Sequence, residues 1–132
     1  MTQIDHLGIA VKSLAEVKKF YEKLGLEIMP EETVEAEKVC VAMVPVGESR
    51  IELLEPTSPD SPIAKFLEKR GPGLHHVALR VPDLAAAVER LRASGVRLLN
   101  DPRPGAGGHL YVFVHPASTG GVLLELIQEN HS

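Results

Sequence analysis

The sequence predicts an α+β fold made of two tandem βαβββ modules, and two observations predict it. First, residues 4–28 superpose on residues 74–98 at a constant offset of 70, without a gap. Ile4-Asp5-His6-Leu7-Gly8-Ile9-Ala10-Val11 falls on Leu74-His75-His76-Val77-Ala78-Leu79-Arg80-Val81, Leu14 falls on Leu84, and Gly25 on Gly95. Second, the last strand-like run of each half repeats at an offset of 73, which places Glu52 on Glu125. The second copy therefore carries three extra residues, which we place in Pro104-Gly105-Ala106-Gly107-Gly108.

Each element follows in order. Every copy opens on a strand containing a histidine, followed by a cap signal, Ser13 or Asp83, that marks the start of a helix. The helices span Leu14 to Leu24 and Leu84 to Ala93, and in the first of them Leu14, Val17, Phe20, Tyr21 and Leu24 recur at helical spacing. A glycine then stops each helix. Strand-like runs follow at 39–44 and 50–54 in the first copy, and at 110–114 and 122–127 in the second. Between the copies, the turn-rich stretch 56–62 leads into a short amphipathic helix at 63–69 that ends at Gly71-Pro72-Gly73. We thus expect one domain over 1–132, with module one at about 4–56, a linker helix at about 57–72 and module two at about 73–128. The sheet is expected to be mixed and mostly antiparallel, with the helices on its outer faces.

Composition narrows the function classes. The 132 residues are 44% hydrophobic and 24% charged, enough for one core. A formal charge of −4 gives no broad attraction for nucleic acid or anionic lipid, so neither is expected as a partner. Cys40 is the only cysteine, which excludes an internal disulfide and a thiolate metal cluster and suits a reducing cytoplasm. No apolar run approaches the roughly 20 residues that span a bilayer, and the first residues do not read as a targeting segment.

The repeat also selects the chemistry. Side chains alternate along a strand, so His6, Gly8 and Ala10 share one face while Leu7, Ile9 and Val11 share the helix-packing face. The same parity makes His76, not His75, the partner of His6. In the last strands Glu52 opposes Ile51 and Leu53, and Glu125 opposes Leu124 and Leu126. Two imidazoles and two carboxylates thus occupy equivalent places on the faces away from the helices, a donor set suited to Co²⁺, Mn²⁺, Ni²⁺ or Zn²⁺ with positions left for substrate. His75 reads as structural, His109 and His115 as turn histidines, and His131 as solvent-exposed.

These motifs resemble the vicinal oxygen chelate superfamily over nearly the whole chain, and the resemblance implies a cupped sheet formed by the paired modules around one metal. Four stretches are similar to the methylmalonyl-CoA epimerase family in particular. They are 4–11, Asp60-Ser61-Pro62-Ile63-Ala64-Lys65-Phe66-Leu67, Gly73-Leu74-His75-His76-Val77-Ala78, and His115-Pro116 leading to Gly120-Gly121-Val122-Leu123-Leu124-Glu125-Leu126.

The resemblance implies proton removal and return at the carbon α to a thioester, interconverting (R)- and (S)-methylmalonyl-CoA. It implies one divalent ion per chain, Co²⁺ first among the four, on His6, Glu52, His76 and Glu125, with Glu125 also serving as base. Some family members carry glutamine in place of Glu52 and a separate glutamate near Cys40 or Val41; here Glu52, Glu37 or a water is left to act as the second base. Lys65, Lys69, Arg70, Arg103 and the backbone around Gly107 are the candidates to hold an acyl-CoA substrate. A homodimer is implied as well. Glyoxalase I, which shares the His, Glu, His, Glu ligand set, is the alternative.

Overall fold

The computed structural model describes residues 1–129, which form eight strands and three α-helices. In chain order these are β1 (Gln3–Ala10), α1 (Leu14–Lys23), β2 (Glu32–Val34), β3 (Val39–Val46), β4 (Ser49–Pro56), α2 (Pro62–Arg70), β5 (Gly73–Val81), α3 (Leu84–Ala93), β6 (Arg103–Pro104), β7 (Leu110–Val114) and β8 (Leu124–Gln128). The chain divides into two compact units, one of residues 6–75 and the other of residues 76 onward together with the first five. The opening of β1 therefore belongs to the second unit, where Arg80 donates to Asp5 Oδ1 at 3.3 Å and also to Gln3.

The two units have the same topology. The first orders its strands β2-β3-β4-β1, with β2/β3 and β3/β4 antiparallel and β4/β1 parallel. The second orders them β6-β7-β8-β5, with β6/β7 and β7/β8 antiparallel and β8/β5 parallel. Parallel neighbours require a crossover, which α1 supplies together with β2 and β3 in one unit, and α3 with β6 and β7 in the other. The expected α+β architecture of two βαβββ repeats is what the chain adopts.

Caps and apolar faces explain the helices. Ser13 Oγ accepts from Glu16 N at 3.2 Å and Asp83 Oδ1 from Ala86 N at 3.0 Å, so the residues read as caps act as caps. Past each helix end, Gly25 and Gly95 take φ of +93° and +81°, a region that favours glycine. Leu14, Val17 and Tyr21 of α1 pack with Val11, Ala42, Val44 and Leu53, and α3 packs Leu84 and Val88 with Val81, Val112, Val114 and Leu126. Each such buried aliphatic side chain contributes about 1.5–3 kcal/mol.

A second pair of helix braces was not read from the sequence. Leu14 N donates to Glu55 Oε1 at 3.0 Å and Leu84 N to Gln128 Oε1 at 2.8 Å. Glu55 and Gln128 stand three residues after Glu52 and Glu125, so the strand that carries each of these glutamates also fixes the first turn of its unit's helix.

Two expectations need correction. The three extra residues do not lie in the 104–108 turn. Met43 pairs with Glu52 and Phe113 with Glu125, so the offset of 70 persists through Phe113 and the insertion falls between β7 and β8. There a 3₁₀ turn over Pro116–Ser118 delays β8 until Leu124, two residues later than the apolar run suggests. The second correction concerns α2, which does not lie on the same face as α1. Its Ile63, Phe66 and Leu67 pack with Ala10, Val39, Val41 and Leu54, the side of the first unit's sheet opposite α1. Ser61, fully buried, caps α2 by accepting from Ile63 N at 3.1 Å, and Lys38 holds the linker by bonding Asp60, whose carboxyl is pulled down to about 2 by that ammonium and by the Ser58 hydroxyl.

Because Gln128 already performs the brace in the second unit, Glu55→Gln is expected to change stability by less than about 0.5 kcal/mol, whereas Glu55→Leu, which leaves Leu14 N unpaired, is expected to cost about 1–2 kcal/mol. Urea unfolding of both variants checks this, and equal stability of the leucine variant would remove the brace.

Candidate metal centre

The four residues selected by parity are all buried, and the structure brings them together in pairs within each unit. His6 Nε2 lies 3.6 Å from Glu52 Oε1, and His76 Nε2 lies 3.1 Å from Glu125 Oε1. Relative exposures run from 2% for His6 to 8% for Glu125, too low for water to solvate a lone charge. The register explains both encounters. Glu52 stands opposite Gly8 and Glu125 opposite Ala78, each two residues beyond the histidine of the neighbouring strand. A residue with no side chain or only a methyl at that place leaves the sheet face clear for the imidazole and carboxylate to meet.

The donor spacing fits a metal. Adjacent N and O donors about 2.1 Å from a common ion are roughly 3.0 Å apart in octahedral and roughly 3.4 Å apart in tetrahedral geometry. The His76–Glu125 pair at 3.1 Å falls inside that range and the His6–Glu52 pair at 3.6 Å lies just above it, and both present the ring nitrogen Nε2 and a carboxylate oxygen, the chemistry an intermediate divalent ion takes.

The next residues on the same faces differ between units. Met43 is the register partner of Glu52, while the equivalent partner of Glu125 is Phe113, whose ring meets His76 edge-on at 5.6 Å and an 88° interplanar angle. Tyr111 continues that aromatic row at 5.5 Å from Phe113. Its hydroxyl accepts from Arg103 Nε at 2.9 Å, and the Arg103 guanidinium lies 5.6 Å from its ring centroid. Gly105 makes room for this ring, since a Cβ there would stand 2.9 Å from it.

The other candidates fall in varied places. Lys65, Lys69 and Arg70 are exposed on α2, with Arg70 5.9 Å from the Phe66 ring centroid. Gly107 sits at φ +71° in the turn before β7, against the ring of His109. His75 packs edge-on against Phe66 at 5.0 Å and His115 Nδ1 accepts from Ala117 N, in keeping with their structural readings. His131 lies outside the described residues. Glu37 is half-buried in a 3₁₀ turn before β3.

Cys40 faces away from the histidine–glutamate side. It pairs in register with Glu55, packs in the cluster beneath α1, and donates to Glu31 Oε1 at 3.5 Å. Burial, followed by that carboxylate, pushes its thiol pKa up, so the thiolate is disfavoured. The β3 residues on the His6 side are Val39, Val41, Met43 and Pro45, all without a titratable group. No second base stands on that strand.

The family model described as "Glyoxalase/Bleomycin resistance protein/Dioxygenase superfamily" matches residues 5–113. The chain belongs to this superfamily. It is 44% identical over 130 residues to an uncharacterized protein of Bacillus subtilis, YqjC, covering 97% of this chain and 93% of the other. It is 37% identical over 129 residues to the mitochondrial methylmalonyl-CoA epimerase of Bos taurus, covering 96% of this chain and 74% of that one. A solved Streptomyces coelicolor methylmalonyl-CoA epimerase variant, in complex with 2-nitronate-propionyl-CoA, superposes with a TM-score of 0.93 at 39% identity, covering 98% and 95% of the two chains. The superfamily match and these likenesses agree with the resemblance read from the strand and linker motifs.

Cys40→Ala is expected to keep activity within about two-fold, because a half-buried, protonated thiol under α1, bonded only to Glu31 among the contacts above, faces away from the histidine–glutamate side. A loss beyond ten-fold in the folded variant, measured as turnover, would place Cys40 in the chemistry.

Proposed function

We propose that this chain epimerises methylmalonyl-CoA, with one divalent ion held by His6, Glu52, His76 and Glu125, the residues of the two imidazole–carboxylate pairs. The observation that carries the reading is the buried imidazole–carboxylate pair, present twice at repeat-equivalent positions, in a chain similar along nearly its whole length to methylmalonyl-CoA epimerases. When bound, such an ion supplies Lewis-acid stabilisation of the negative charge that develops on the substrate's oxygens, several kcal/mol in comparable sites.

The chain's own groups move the proton. Glu125 takes it from the carbon between thioester and carboxylate, and Glu52 is our second carboxylate, returning a proton to the opposite face. Glu125 leads because Phe113, its register partner, holds the His76 ring edge-on and leaves that pair at the shorter spacing of 3.1 Å. Phe113 and Met43 flank the two carboxylates with apolar side chains, which limits water beside the reacting carbon and strengthens each charge interaction there.

Co²⁺ is our first assignment for the ion, with Mn²⁺, Ni²⁺ and Zn²⁺ compatible with the same N and O donors. A homodimer and a cytoplasmic location belong to the same reading, the latter because an acyl-CoA substrate is met there. The two relatives above that carry an enzyme name are methylmalonyl-CoA epimerases, and glyoxalase I, which has the same donors, serves as the control reaction.

The test is solvent exchange and epimerisation of (S)-methylmalonyl-CoA by metal-loaded protein in D₂O, with methylglyoxal plus glutathione in parallel. Deuterium incorporation with racemisation, abolished by chelator, is expected. Glu125→Gln is expected to lower kcat at least about 100-fold with the metal content measured alongside, in line with a lost general base. Full activity of that variant would contradict the base assignment, and turnover of the glutathione adduct alone would move the substrate.

A further inference from the structure

The two halves are alike in fold but opposite in charge at one equivalent place. By register, Val41 of β3 and Tyr111 of β7 correspond: each stands two residues before the partner of a paired glutamate, Met43 or Phe113. The edge-strand residue opposite Val41 is Glu32, and the one opposite Tyr111 is Arg103. Both are exposed. The first unit thus ends its histidine-bearing face in a carboxylate, and the second ends its own in a guanidinium.

The ends also differ in cover. In the first unit α2 lays Ile63, Phe66 and Leu67 over Val41 and Leu54. In the second unit no helix follows β8 among the described residues, and the register equivalent of Val41 is the larger Tyr111. Arg103 is held there by its Nε–H bond to the Tyr111 hydroxyl and by its position over the ring, with Gly105 admitting the ring beneath. A cation fixed on two sides loses little freedom when it meets an anion, and the guanidinium fork matches phosphate geometry.

We infer that Arg103, anchored on Tyr111, is the handle in the second unit that binds the phosphates of an acyl-CoA. This rests on the acyl-CoA reading proposed above. Arg103 stands two strands and two residues from Glu125, roughly 12 Å at ordinary sheet spacing. An extended pantetheine arm spans on the order of 15 Å, which brings the phosphates to the guanidinium once the thioester lies at Glu125. The malonyl carboxylate, only a few bonds from the reacting carbon, does not reach it.

The experiment is calorimetric titration of metal-loaded protein with coenzyme A and with pantetheine, which lacks the nucleotide phosphates, for wild type, Arg103→Gln, Arg103→Lys and Glu32→Gln. The wild type is expected to bind coenzyme A at least about ten-fold more tightly than pantetheine, with the margin shrinking at high salt. Arg103→Gln is expected to lose about ten-fold for coenzyme A and nothing for pantetheine, with Arg103→Lys in between and Glu32→Gln within two-fold of wild type. With methylmalonyl-CoA the Arg103→Gln effect is expected in KM. The inference is overturned if Arg103→Gln keeps the wild-type preference, or if a folded Arg103→Gln weakens both ligands alike. It is equally overturned if Glu32→Gln matches the Arg103→Gln loss. An Arg103-dependent preference in a protein that turns over no methylmalonyl thioester would leave the handle standing and reject the epimerase reading alone.

Discussion

The molecule is organised around a cost: four ionisable side chains withdrawn from water on the strand faces of its two units. A buried glutamate or imidazolium without compensation would be destabilised by several kcal/mol, so each histidine is set against a carboxylate within its own unit. That pairing requires a parallel neighbour two residues out of step and a vacant position between, which Gly8 and Ala78 provide. The crossover, the helix braces from Glu55 and Gln128, and the cap residues all serve to hold those two strands in that register. On the proposed reading, a divalent ion at these residues converts a buried-charge problem into a Lewis-acid centre.

Much of this was legible in the sequence because the repeat supplies an internal control. A strand histidine alone carries little information, but His6 and His76 at one offset, with Glu52 and Glu125 three residues further displaced, restrict the parity argument to a single face. The helices over 14–23 and 84–93 were readable from Ser13, Asp83 and the glycines at 25 and 95, since caps act locally. What was not readable depended on tertiary partners. The amphipathic pattern of 63–69 announces a helix but not which side of the sheet it covers, and α2 covers the side opposite α1 because Val39, Val41 and Leu54 expose an apolar surface there. The insertion was misplaced because Pro104–Gly108 has the composition of a loop, while the register alone shows the extra residues near Pro116. The Arg103–Tyr111 contact likewise joins two residues that only the β6–β7 pairing brings together.

Where the repeat is broken, function accounts for the break. Both units retain the histidine, the glutamate, the small residue between them and the helix brace. They diverge at Met43 against Phe113, Val41 against Tyr111 and Glu32 against Arg103, and in the presence of α2 over one face only. The shared residues are those that the proposed metal centre uses. The divergent ones are those that a chiral, elongated, anionic substrate needs, since proton transfer to opposite faces of one carbon demands that the substrate lie one way round.

The central claim is that both units serve one ion, and metal stoichiometry tests it most directly. Titration of the metal-free protein with Co²⁺, followed by the visible absorption of the bound ion, is predicted to saturate at one ion per chain. His6→Ala and His76→Ala are each predicted to weaken that binding by at least about ten-fold, the lower end of what loss of a ligand shell member costs. Saturation at two ions per chain, or a His6→Ala variant that binds Co²⁺ as tightly as the wild type through His76 and Glu125 alone, would contradict it.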